Sequence, residues 1–329
     1  MSQTTPSIEK LSEQLSALDR TQKLKILVVD DEPDNLDLLY RTFRREFQVL
    51  RAESGAEALE MLENEGEVAV IISDQRMPEM KGTEFLSKTV PQFPNTVRII
   101  LTGFTDVEDL VEAINAGQVY KYITKPWNPN DLKNVVIHAT ENYQLLRQQA
   151  DAVYRAQLQA QLLSQIVQET NHSAVSPSVA LNNLAEAFSE GLSADVCCIQ
   201  PVDENAAFSQ PQGLYQSSAI TRLEALAEEP LIQEAIATAS IQLVADTADY
   251  DHLSTHPYYL QTRIASHLVI PLMQRGQVFA ILSMQWDSPL SQLNVIKEDI
   301  LLIHLIAHQL SLSLAYYLQH NAPAPQSVS

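Results

Sequence analysis

Cysteine is nearly missing from this chain: 329 residues contain two, Cys197 and Cys198, side by side in an apolar run. Adjacent thiols of that kind suit a core in a reducing compartment better than a disulfide framework, and metal-ligand spacing is absent. Basic residues are also scarce, with 21 Lys and Arg against 41 Asp and Glu for a net charge of -20. Residues 1–150 hold 16 basic against 24 acidic side chains and the remainder 5 against 17, so direct nucleic-acid binding is not expected, least of all by the second half. Uninterrupted apolar runs of membrane-spanning length are lacking. The nearest approach, Ile300 to Leu318, is broken by His304, His308 and Gln309, which predicts a long, partly buried helix and no membrane span. The opening MSQTTPSIEK has neither the basic start nor the apolar centre of a secretory signal, and a cytoplasmic protein is expected. A hydrophobic content of 45% over this length is enough for two domains with separate cores.

The stretch that organises the first of them is Val68 to Asp74, VAVIISD, followed by Gln75, Arg76, Met77 and Pro78. Its apolar, largely β-branched composition predicts a strand buried on both faces, as in the middle of a parallel sheet. Such strands present their carboxyl ends to the crevice where ligands bind, which puts Asp74 where chemistry is expected. Residues 1–22 are polar, with Ile8, Leu11, Leu15 and Leu18 at helical spacing for a short docking helix. Leu24 to Val29 is a first strand ending in Asp30, Asp31 and Glu32, and Pro33 opens a helix carrying Leu36, Leu39, Tyr40 and Phe43. Gln48 to Arg51 is a second strand, and Ser54 with Glu57 caps the helix that follows. Val97 to Leu101 leads to Thr102, a helix is expected from about Asp106 to Ala116, and Val119 to Ile123 leads to Thr124, Lys125 and Pro126. Strands alternating with helices in this way predict a doubly wound, five-stranded parallel α/β sheet. Its strand ends gather Asp30, Asp31, Asp74, Thr102 and Lys125. Carboxylates crowded together repel unless a cation sits among them, and a hard divalent ion such as Mg²⁺ is the simplest one.

Residues 24 to about 140 closely resemble the receiver domain of two-component response regulators, through VVDDEPDN, SDQRMPEMKGTEFL, LTGF and YKYITKPW in that order. The resemblance implies that Asp74 accepts a phosphoryl group from a sensor histidine kinase or a phosphotransfer protein. It implies Mg²⁺ held by Asp31, Asp74 and the backbone carbonyl of Arg76, with Asp30 acting through water, and Lys125 paired with the acyl phosphate. Thr102 would move toward the new phosphate and Tyr122 would turn inward behind it, reordering the face that includes Tyr120 and Lys121. Pro126 matches the family proline whose preceding peptide bond is cis. Arg76 and Phe104 stand where such domains modulate water's access to the acyl phosphate; both are large, and they either screen the phosphate or pack on the helix behind it.

From Asp131 to about Thr170 there is no Gly or Pro, and a helix of about 40 residues is expected. Val136, Ala139, Tyr143, Leu146, Ala150 and Val153 form a heptad seam that Tyr154, Leu158 and Leu162 continue one position later, like a stutter. The seam predicts a parallel homodimer, or alternatively a connector folded on its own domain. After the linker NHSAVSPS, elements in the order helix, strand, helix, hairpin and long terminal helix predict an α+β domain with an antiparallel sheet. With the stretch ASHLVIPLMQRGQVFAILSMQW this part resembles a GAF domain. The expected organisation is an N-terminal extension over 1–22, a receiver over 23–140, a helical connector over 141–174, a GAF-like domain over 175–320 and a flexible tail over 321–329. The cysteines lie outside the region where bilin-binding relatives attach chromophore, and His252 with His256 lacks a third metal ligand nearby. No DNA-binding or catalytic output module is recognisable, so the GAF-like domain is expected to act by protein contacts on an unknown downstream protein. The alternative is a ligand sensor whose GAF-like domain binds a small molecule while the receiver modulates it. No enzyme is expected beyond the receiver's own phosphorylation and dephosphorylation.

Overall fold

The computed structural model describes residues 23–103, 119–171, 176–203, 207–217, 229–290 and 297–321. The expected helices at 8–18 and 106–116, Phe104, and the tail lie outside these residues. Two compact units are present, one ending at Val153 and one running on from Tyr154.

The first unit is built on β1 (Lys25–Val29), β2 (Gln48–Ala52), β3 (Val70–Asp74), β4 (Val97–Thr102) and β5 (Lys121–Thr124). They pair in the order β2-β1-β3-β4-β5, and every pairing is parallel. The central strands β3 and β4 are buried at every position, which is why they are written as continuous apolar runs, whereas β2 and β5 at the edges are half exposed. The last strand begins at Lys121, two residues later than the expected Val119.

Helices cover both faces. Helix α1 (Pro33–Phe43) starts on a proline and turns Leu36, Leu39 and Phe43 inward. Helix α2 (Gly55–Glu65) is held at its start by Ser54, whose hydroxyl accepts the Glu57 N–H at 3.2 Å, while the Glu57 carboxylate accepts the Glu53 N–H at 2.7 Å. Helix α3 (Gly82–Thr89) packs with α2 on the same side, through Phe85 and Leu86. Parallel pairing places all five carboxyl ends on one edge, and the registers Val29↔Ser73, Asp74↔Leu101 and Thr102↔Thr124 align them.

Helix α4 (Pro129–Asn171) runs for 43 residues, as the absence of Gly and Pro predicts, but it does not present one continuous seam. Leu132, Val136, Ala139 and Tyr143 are spent in the core of the first unit, and Leu158, Leu162 and Ile166 in the core of the second. The one-position shift is therefore a change of client: one stretch of helix faces one core and a later stretch another. Of the expected seam, Leu146, Ala150, Val153 and Tyr154 remain exposed.

The second unit has an antiparallel sheet of β6 (Val196–Pro201), β7 (Gly213–Gln216), β8 (Gln242–Val244), β9 (Ser266–Gln274) and β10 (Gln277–Trp286), in the order β7-β6-β10-β9-β8. Strands β9 and β10 form the expected hairpin, closed by Arg275 and Gly276 at φ 51° and 82°, the paired positive angles that match strand twist in a two-residue turn. The short strands β7 and β8 carry too few residues to show a period and were not anticipated. One sheet face is covered by α5 (Pro177–Leu192), α9 (Lys297–Asn321) and the late part of α4. The other is covered by α6 (Pro230–Thr238) and the short helices α7 (Asp251–Ser254) and α8 (Pro257–Thr262). Cys197 and Cys198 alternate between these two cores, both fully buried. Burial pushes the Cys198 thiol up to about 12 and the Cys197 thiol well above its ordinary value, so both are inert core thiols. Among the described residues one stretch, Glu298–His320, is long and apolar enough to cross a membrane, and its inward side is buried in the second core.

Candidate functional site

At the carboxyl edge of the parallel sheet, Asp30 follows β1 and is 1% exposed, while Asp74 ends β3 at 6%. Two anions so far from water need compensation. Lys125, one residue past β5, supplies it: its Nζ lies 2.5 Å from Asp74 Oδ1 and 3.2 Å from Asp30 Oδ2. Burial alone would lower the Lys125 ammonium, but the bond to Asp74 and the charges of Asp30 and Asp74 outweigh it and hold the group above its ordinary value. The lysine is held by its backbone, whose N–H donates to Thr102 O at 2.7 Å; the Lys125–Pro126 peptide is cis. Thr102 is buried at the end of β4, its hydroxyl turned to Gly103 O at 3.1 Å.

The loop that carries the Asp74 carboxylate is pinned from several sides. Arg76 N–H donates to Asp74 Oδ2 at 2.8 Å, Gln75 N–H to Leu101 O at 3.0 Å and Gly82 N–H to Gln75 O at 3.1 Å. The Gln75 side chain accepts the Thr83 N–H at 3.1 Å. Gly82 is needed for the approach of α3: a Cβ there would stand 2.1 Å from Asp74 O. The exposed Arg76 lies over the pocket's rim, its Nη2 3.6 Å from where a Cβ on Gly103 would be. Tyr122 points outward at 38% exposure, beside Tyr120 at 48%.

Asp31 departs from the expectation that three carboxylates crowd together. It is exposed, and among the described residues no group of three His, Cys, Asp or Glu side chains is gathered as a ready metal cluster. Lys125 relieves the repulsion between Asp30 and Asp74. The donors at hand are nonetheless all oxygen, two of them buried anions, and this chemistry fits a hard divalent ion. Asn35 was not anticipated. Its amide donates to both Asp30 oxygens, at 3.0 and 3.2 Å, and its signal in sequence is its place at the end of the stretch VVDDEPDN.

The second unit holds a buried polar cluster that the sequence did not reveal. Glu229 accepts the Leu231 and Ile232 N–H groups at the start of α6 and a bond from the Tyr259 hydroxyl. That hydroxyl meets His267 Nδ1 at 2.9 Å, and His267 Nε2 meets Ser283 Oγ at 2.8 Å and Gln285 Nε2 at 3.1 Å. Tyr258 donates to Gln285 Oε1 at 2.9 Å. Burial alone would raise the Glu229 carboxyl, but His267 and the Tyr259 and Leu231 donors together hold it below its ordinary value. Tyr258 and Tyr259 are themselves buried in the core on this face of the sheet. His256 caps α8, its Nδ1 accepting the Tyr258 N–H at 3.3 Å, and among the described residues no cluster of three metal-ligating side chains includes His252 or His256.

Comparison with known proteins agrees with both halves. A family model for the response regulator receiver domain matches residues 26–137, and one for the GAF domain matches residues 174–315. The hydrogenase transcriptional regulatory protein HoxA of Cupriavidus necator is 44% identical over 116 residues, 35% of this chain and 24% of that protein. A chemotaxis protein CheY homolog of Campylobacter jejuni is 35% identical over 114 residues, 33% of this chain and 87% of that protein. A crystal structure described as an adenylate cyclase from Rhodopirellula baltica shares 35% identity over 40% of this chain and 98% of its own, with a TM-score of 0.39. The chain spans about a quarter of the length of HoxA.

Proposed function

The chain belongs to the response regulator family, with a receiver domain followed by a GAF domain, and from this we propose that it is a phosphorylation switch whose acceptor is Asp74. The observation that carries the reading is the buried pair Asp30 and Asp74 sharing Lys125, with Thr102 beside them at one sheet edge. An Asp74 carboxylate oxygen attacks the phosphorus of a phosphohistidine on a sensor histidine kinase or phosphotransfer protein. The P–O bond forms as the P–N bond breaks, and the imidazole leaves. Attack by water on the acyl phosphate returns carboxylate and inorganic phosphate. Asp31, Asp74 and the Arg76 carbonyl, with Asp30 through water, would hold Mg²⁺, which neutralises charge on the phosphoryl oxygens. Lys125 stays with the group it already contacts, and Thr102 exchanges Gly103 O for a phosphoryl oxygen while Tyr122 turns inward. Arg76 and Phe104 screen the water.

The phosphoryl group adds roughly one to two negative charges, and repacking of the β5 face is passed through the connector α4 to the GAF domain, which acts by contact with a downstream protein in the cytoplasm. Pairing of the exposed middle of α4 with a second copy belongs to this reading. The test is phosphoryl uptake from a small acyl-phosphate donor with Mg²⁺. Wild type is expected to take up one phosphoryl group and Asp74→Ala none; equal uptake by both proteins, or none by wild type, would overturn the proposal.

A further inference from the structure

We propose that Asn35 is a positioning residue for the acidic pocket, holding the Asp30 carboxylate so that Lys125 is left to Asp74 and a divalent cation meets a fixed Asp30. The inference rests on the phosphoryl-acceptor reading of the pocket. A carboxylate has about four acceptor directions, and protein donors reach both oxygens of Asp30. Oδ1 accepts the Glu32 N–H at 3.0 Å and the Asn35 amide at 3.0 Å; Oδ2 accepts the same amide at 3.2 Å and Lys125 Nζ at 3.2 Å. Two of the three donors are neutral and belong to one rigid piece. Glu32 O accepts the Asn35 and Leu36 N–H groups at 3.0 and 3.2 Å, and Pro33 opens the helix between them.

The consequence is a division of labour in a place that is nearly dry. An Asp30 with no neutral donors would compete with Asp74 for the one shared ammonium, and its carboxylate would turn toward it. With the amide in place, Lys125 sits nearer Asp74 than Asp30, at 2.5 against 3.2 Å. A group that orients a cation's ligands without touching the cation commonly changes affinity by about tenfold or more.

The experiment is a Mg²⁺ titration of the full chain, followed by the emission of Trp127, two residues past Lys125, in wild type, Asn35→Ala and Asn35→Leu. Alanine is a better helix former than asparagine, so the first variant folds; leucine keeps the branched heavy-atom shape of asparagine without its donors. Both are expected to bind Mg²⁺ on the order of tenfold more weakly. In the uptake assay both need correspondingly more Mg²⁺ for half-maximal rate and recover the wild-type rate at saturation, a split that a general loss of structure does not produce. Wild-type affinity in Asn35→Leu would overturn the inference, as would uptake reduced equally at every Mg²⁺ concentration. A wild type that binds Mg²⁺ and takes up no phosphoryl group would sink the acceptor reading alone, because the titration still compares the variants.

Discussion

One methyl group is enough to disturb the pocket. A Cβ on Gly82 would stand 2.1 Å from Asp74 O and 3.0 Å from Ser73 Oγ, and since the first is backbone of the acceptor itself, either α3 or Asp74 must move. Overpacking of that kind costs about 1–3 kcal/mol. Gly82→Ala is therefore expected to lower the urea midpoint and slow phosphoryl uptake together; an unchanged midpoint would mean that α3 can retreat freely. The same residue marks what could be read from sequence alone. Asp30, Asp74, Thr102 and Lys125 were legible because each follows an apolar run, and the strands carry them to one edge whatever else the fold does. Gly82 and Asn35 were not. Their importance lies in distances to groups eight residues away and five residues away in the chain, set by how α3 and α1 lean on the sheet, and no periodicity records a lean. Asp31 was legible beside Asp30, and its side chain stands exposed next to that buried carboxylate's position in the chain.

At the level of elements, α6, α8, β9 and β10 are tied together through Glu229, Tyr259, His267 and Ser283, all in the dry layer over the antiparallel sheet. The carboxyl of Glu229 is held below the ordinary value of 4.5. A depressed folded value means that its stabilisation is in place above the ordinary value and is lost as the pH falls through the lowered one. Glu229→Gln is expected to weaken the second domain by about 1–3 kcal/mol at pH 7 and to lose less stability than wild type between pH 7 and pH 4. Urea unfolding followed through Trp286 in a Trp127→Phe background reads this domain. Parallel losses in the two proteins would show that Glu229 carries no such linkage. None of the cluster was visible in sequence, because its members are 8 to 54 residues apart and only the fold brings them together. The hairpin, in contrast, was legible from Arg-Gly between two apolar runs, since a two-residue turn is local chemistry.

At the scale of the whole molecule the long helix is the open question, and its burial pattern narrows it. Between Tyr143 and Leu158 no residue of α4 is buried, a span of roughly 20 Å at the helical rise that neither core supports. Apolar side chains stand out from it: Leu145 is 53% exposed, Leu146 37%, Val153 58% and Tyr154 56%. Leu146, Ala150 and Val153 keep the four- and three-residue steps of a seam. A second copy of the same stretch satisfies them better than water, and a pairing confined to three or four positions is weak enough for a change at the β5 face to shift it. Two chains of net charge -20 repel, so the pairing is expected to strengthen as salt shortens the range of that repulsion. Leu146→Lys with Val153→Lys touches neither core, and the doubly substituted protein is expected to keep the wild-type far-ultraviolet circular dichroism and Asp74 phosphorylation while losing the dimer in sedimentation velocity at every salt concentration. The same sedimentation profile in both proteins would place the dimer contact elsewhere and leave α4 as a tether; a wild type that is monomeric with and without the acyl phosphate would remove pairing from the mechanism altogether.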